Sequence, residues 1–160
     1  MNGSDTDPDH TRIVIDADVL AADLLVGGAS RATMDYLREH SWLTLVATER
    51  LLDDAEAVIG ELADESLASE WRDRLDEWVC VVEQPEGDHP ALAAAYHGGA
   101  LHVVSLDQRL LSAKAAATLS SRVDVSVRPP DAFERLFDPE SIYELVFEEP
   151  YPGPDRDPRD

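Results

Sequence analysis

Four acidic side chains stand beside apolar segments of this sequence in an order that could hold a divalent cation. Asp16 ends the run Ile13-Val14-Ile15. Asp54 lies about two turns into the segment that starts at Thr48. Asp88 opens DHPALAAAY, and Asp107 closes Ser105-Leu106-Asp107 after a second apolar run. Clustered carboxylates repel: a pair about 5 Å apart costs roughly 3 kcal/mol at an effective dielectric of about 20. A hard cation such as Mg²⁺ or Mn²⁺ removes that cost and prefers oxygen ligands. Held there, it deprotonates water and stabilises charge on a phosphoryl oxygen. Each acid also has a plainer role, as a helix cap at Asp16 or Asp88 or as one solvated carboxylate among 34 acidic residues. The order of all four carries the signal. Ser105 would hydrogen-bond a carboxylate or a phosphate, or cap the next helix. Arg109 would touch a phosphate or face solvent.

The elements that must position these groups alternate between strand and helix. Strands are predicted over 12–15, 42–46, 78–82, 101–104 and 123–127. Helices are predicted over 19–26, 31–39 with Ser30 as N-cap, from Thr48 through Leu62, and over 66–78. Further helices are expected over 90–97 closed by Gly98-Gly99, over 110–119, and from Pro129-Pro130 to Phe137. Residues 84–88 form a loop, and 139–149 add a docked element. This alternation predicts an α/β fold, a three-layer α/β/α sandwich around a central parallel sheet. Ligands of such sheets bind outside the carboxyl ends of the strands. On the wheel of the helix after Thr48, Asp54 and Glu56 flank the apolar arc on opposite sides, while Asp53 points away. Asp54 is therefore the better helix-borne ligand, with Glu56 next.

Composition bounds the rest. At 160 residues one domain is expected, over 12–149, with a disordered leader at 1–11 and an acidic, proline-rich, disordered tail at 150–160. The polar start is no secretory signal, no run is long enough to span a membrane, and the single Cys80 excludes an internal disulfide. Those absences favour a cytoplasmic location. Against 34 acidic residues stand 13 basic ones, a net charge of −21, and Lys114 is the only lysine. Such a surface resembles that of proteins from salt-accumulating halophilic archaea, where salt screens the self-repulsion. Surface acidity then reports the solvent and does not exclude a nucleic-acid partner.

The ordered set of motifs resembles a PIN domain, the nuclease fold of many prokaryotic toxins and RNA-processing enzymes. VIDADVLAADLLVGG (14–28) is similar to the family's opening strand-Asp-x-Asn/Asp motif. TERLLDDAEAVI (48–59) is similar to its Ser-x-x-x-hydrophobic-x-Glu helix. DHPALAAAYHGGALHVVSLDQRLL (88–111) is similar to its Asp-led, alanine-rich helix and Thr-x-Asp signature, and VDVSVRPPDAF (123–133) to its closing strand. The resemblance implies metal-dependent hydrolysis of RNA. Asp16, Asp54, Asp88 and Asp107 would hold one or two Mg²⁺ or Mn²⁺, and Ser105 would stand at the Thr position. Attack by water would leave a 5′-phosphate and a 3′-hydroxyl. Asp54 departs from the family's usual Glu by one methylene. The resemblance also allows an antitoxin-like protein partner and a homodimer; the sequence identifies neither.

Two rival readings remain. A PIN-like fold with a decayed site would act through protein interaction; the Asp54 substitution and the sparse basic surface favour it. A haloacid-dehalogenase-like phosphatase would use Asp16 as nucleophile and Asp18 as acid, but its Lys must precede a later acidic pair, and Lys114 follows Asp107. Histidines 10, 40, 89, 97 and 102 lack ligand spacing, so zinc is not expected.

Overall fold

Residues 13–15 are apolar without alternation, and all three are buried, as a central strand covered on both faces requires. In the computed structural model, which describes residues 9–83, 89–111 and 125–157, they end β1 (Asp9–Ile15). With β2 (Thr44–Thr48), β3 (Cys80–Val82), β4 (Ala100–Val104) and β5 (Ser126–Arg128) it forms one parallel sheet in the order β3-β2-β1-β4-β5. The chain winds outward from β1 through β2 to β3, then returns to start β4 on the other side of β1. That reversal puts the topological switch point between β1 and β4, the place in such sheets where ligands bind beyond the strands' carboxyl ends.

Among the described residues the helices are α1 (Ala17–Leu25), α2 (Gly28–Glu39), α3 (Glu49–Leu62), α4 (Glu65–Asp76), α5 (Pro90–Gly98), α6 (Gln108–Leu111), α7 (Pro130–Leu136) and α8 (Pro139–Phe147). Thr48 caps α3, its hydroxyl accepting from Leu51 N–H at 3.1 Å. Val14 is in register with Val46 and Val103, so the three share one face of the sheet. Alpha-helix α5 covers that face at very short range. A Cβ at Gly98 would lie 2.3 Å from Val46 Cγ1, so any larger residue would force helix and strand apart. Gly99 then ends α5 in the left-handed region at φ 68°, which glycine adopts without strain. On the other face His102 packs against Phe133 of α7 and against Phe137 just beyond it, with ring centroids 6.2 and 5.5 Å away. Tyr36 of α2 holds α7 in place by donating to Glu134 O at 2.8 Å. Helices thus cover both faces of the parallel sheet, as the alternation of elements predicted.

Several boundaries differ from the sequence reading. Strand β1 starts at Asp9, whose N–H bonds Gly99 O at 2.8 Å; residues 1–8 of the expected leader lie outside the described residues. Ser30 is buried inside α2 and does not cap it; Gly27, at φ 88°, precedes the helix instead. Strand β3 begins at Cys80 because Trp78 and Val79 still donate to Leu75 O, completing the exit from α4. Of the helix expected over 110–119, residues 112–119 are outside the described residues, as are 123–124 of the last strand and the loop 84–88.

The largest difference is the tail. Residues 150–157 dock on the carboxyl end of α2. Asp155 N–H bonds Glu39 O at 2.9 Å, and Arg156 Nη2 bonds Leu37 O at 2.9 Å and His40 O at 3.3 Å. Asp155 Oδ1 accepts from Ser41 N–H at 2.8 Å, and Tyr151 OH meets His40 Nε2. A helix leaves its last carbonyls without partners, and this segment supplies them.

Candidate functional site at the carboxyl edge of the sheet

Asp16 is the first residue after β1 and the N-cap of α1. Its N–H bonds Val104 O of the neighbouring strand at 2.8 Å, which fixes its height at the edge. Its Oδ1 accepts from Ala17 N–H at 2.8 Å, and its Oδ2 accepts from the Ser105 hydroxyl at 2.7 Å. Ser105 is the first residue after β4 and has no exposed surface. Its N–H reaches Arg128 O of β5 at 3.0 Å, so three strand ends meet around it. The same hydroxyl accepts from Asp107 N–H at 2.9 Å. One buried hydroxyl therefore orients the Asp16 carboxylate and sets the backbone that carries Asp107. The cap role and the site role proposed for Asp16 are compatible, since the cap uses only one of its oxygens.

Asp107 is held differently. Its Oδ1 accepts from Arg109 N–H at 2.9 Å and Arg109 Nε at 3.2 Å. Its Oδ2 accepts from Arg109 Nη2 at 2.8 Å and His89 Nε2 at 3.2 Å. The Arg109 bonds, above all, hold this carboxyl well below the usual carboxylate range. His89 is the N-cap of α5, where its Nδ1 accepts from Ala91 N–H at 3.1 Å. A ring nitrogen that accepts carries no proton, so the proton sits on Nε2 and points at Asp107.

The other two expected ligands do not enter this network. Asp54 is exposed on α3, its Oδ1 3.8 Å from Arg50 Nε. Glu56 turns to the opposite side, toward α4, where Arg72 gathers Glu49, Asp53, Glu56 and Asp76. Asp88 lies outside the described residues, immediately before His89. Among the described residues, no three His, Cys, Asp or Glu side chains gather as a metal cage. Asp16 and Asp107, linked through the Ser105 hydroxyl, carry hard oxygens of the kind that Mg²⁺ and Mn²⁺ prefer.

A family model matches residues 7–159. The chain belongs to DUF7384, a family of unknown function. Neither the curated proteins nor the solved structures contain a significant match to this DUF7384 member. Within it, sequence reasoning missed His89, because a capping histidine needs no partner at ligand spacing. The available signal was its place just before Pro90, the N-terminal entry to a helix. Among the described residues, no helix is long and apolar enough to cross a membrane.

Proposed function

We propose that this chain is a metal-dependent ribonuclease of the PIN-like type, hydrolysing RNA phosphodiester bonds. The observation that supports this reading is the Ser105 hydroxyl shared between Asp16 and the backbone of Asp107 at the switch point of the sheet. Asp16 and Asp107 would hold Mg²⁺ or Mn²⁺ together with Asp88 and, from α3, Asp54. The bound ion would supply charge stabilisation on the phosphoryl oxygens and a water of lowered pKa. Ser105 keeps the Asp16 carboxylate in one orientation, and His89 does the same for Asp107 by donating to its Oδ2. RNA is then the partner, and the cytoplasm the location.

A second reading, the decayed site acting in protein interaction, is favoured by one observation: no cage of three ligands forms among the described residues. One assay separates the readings. Wild type and Asp16→Asn are compared in molar KCl on single-stranded RNA and on a small phosphate monoester, with and without Mn²⁺. The nuclease reading expects Mn²⁺-dependent cleavage of RNA by wild type, abolished in Asp16→Asn. The variant should remain folded, since Asn keeps an oxygen to accept from Ala17 N–H. Equal cleavage in chelator, or cleavage by Asp16→Asn at the wild-type rate, overturns the metal-carboxylate mechanism. No cleavage and no Mn²⁺ shift of the melting temperature would favour the decayed site. Phosphate release from the monoester would favour the phosphatase.

A further inference from the structure

Away from the carboxyl edge, α1, α3 and α4 share a second apolar cluster that their own packing leaves unfinished. Among the described residues Ala21, Ile59 and Ala68 are buried in it, while the larger Leu24, Leu25, Val58, Leu67 and Trp71 are half-buried. Leu62 follows Val58 and Ile59 by one turn, continues their stripe on α3, and is 74% exposed. Helix α1 is apolar around most of its girth, as helices covered on every side are. Its Asp23 is buried and paired with Arg38. Residues 19–30 therefore present no exposed charge, in a chain of net charge −21. Interface centres are depleted of charge in the same way.

The flanks of this patch carry opposite charge. On the α1 side stands Arg31, an exposed residue in the first turn of α2, whose guanidinium donates to Asp23 O at 2.8 Å and Leu24 O at 3.3 Å. On the α3–α4 side stand Glu61 and Glu65, both exposed. A two-fold axis through a patch sets each flank against the opposite flank of the other copy. We propose that the outer face of α1, α3 and α4 is the contact between two copies of this chain, with Leu62 near its centre and Arg31 of each copy facing Glu61 and Glu65 of the other. The pairing is independent of the reaction at the carboxyl edge. A second set of exposed apolar side chains, Leu145, Val146 and Phe147 on α8, lacks this complementarity. It stands among Glu140, Glu144, Glu148 and Glu149, all exposed, so self-pairing there would oppose like charges.

The test is sedimentation equilibrium over a concentration series, at one KCl concentration where wild type and variants give the same circular dichroism. Wild type should approach twice the chain mass and stop there. Leu62→Glu places a carboxylate in the contact twice and should raise the dimer Kd on the order of a hundredfold. Leu145→Glu, equally exposed but on α8, should leave it unchanged. Arg31→Glu should raise the Kd by about three- to fivefold, the range of an exposed ion pair. Glu61→Arg with Glu65→Arg should do the same, and all three changes together should restore the wild-type value. The acid variants touch no helix end, so they carry the charge test if Arg31→Glu fails to fold. A wild type that stays monomeric, or whose mass keeps rising past the dimer, overturns the proposal. So does a Kd that Leu145→Glu raises as much as Leu62→Glu. Charge reversals that leave the Kd unchanged, or that do not rescue one another, overturn the facing of Arg31 and the two glutamates.

Discussion

The strand pair β1–β4 places ionisable side chains at its carboxyl edge and on its face beneath α7, and these two places are built on opposite terms. At the edge, Asp16 and Asp107 receive hydrogen bonds from backbone N–H groups, a hydroxyl, a guanidinium and an imidazole. Two residues inside, His102 packs against Phe133 and Phe137, and its Nδ1 has no partner among the described residues. Its other nitrogen lies 3.5 Å from His10 Nδ1. Burial, with the nearby His10 and Arg128, pushes the His102 pKa down to about 4. Charge is thus welcomed at the rim and refused just below it. What decides is the supply of fitting partners, donors for the carboxylates at the rim and no acceptor or anion for an imidazolium beneath it, because both places belong to the same two strands.

The largest consequence should come from the refusal. His102 has a folded pKa below its unfolded value, so its contribution to stability is whole above pH 6.5 and is lost as pH falls toward 4. Urea unfolding across that window should show a loss of as much as about 3 kcal/mol. Substitution by Phe should flatten the curve. A pH profile that His102→Phe leaves unaltered would break the comparison on this side. At the edge, Ser105→Ala strips the donor from Asp16 and the acceptor from Asp107 N–H. It should cost about 1–2 kcal/mol, read by chemical denaturation, and weaken Mn²⁺ binding as well. Unchanged Mn²⁺ affinity would mean that the hydroxyl orients nothing.

The smallest effect tests salt. The Asp107 carboxyl is depressed, so it stabilises the fold above the ordinary carboxylate pKa of about 4, and this is lost as pH falls below that value. Its pairing with exposed Arg109 should be weakened in molar KCl, whereas the His102 effect, being buried, should persist. Whole-chain stability should meanwhile rise with KCl as the −21 charge is screened. A circular dichroism melt that is identical in dilute buffer and molar KCl would contradict this.

Much of the edge was legible in the sequence because parallel strands of unbroken Ile and Val must end together, and the residues after them must meet. That reasoning brought Asp16, Ser105 and Asp107 to one place. It worked less well on α3. The wheel set Asp54 and Glu56 on opposite flanks of the apolar arc, but an angle about an axis says nothing of reach. Arg72, which claims Glu56, comes from a different helix. His89 was hidden because its two hydrogen bonds need α5 seated against the sheet, a seat set by Gly98 on Val46. The docked tail was illegible for a similar reason. Proline and acidic residues look the same in a solvated strand and in a segment that caps someone else's helix. The carbonyls that bind it exist as unpaired acceptors only after α2 has formed.

That docking sets an order of events during synthesis. Arg156 closes on Leu37 across 119 positions of sequence. Helix α2 emerges early, and its exposed last carbonyls must be carried by water while β2, β3 and β4 are still being made. Contacts this distant in sequence close late. A nascent chain halted after β5 should therefore hold the assembled sheet with α2 frayed at one end. Emergence of residues 150–157, more than the pairing of β5, would mark the moment at which the molecule stops yielding to a protease at residues 37–41.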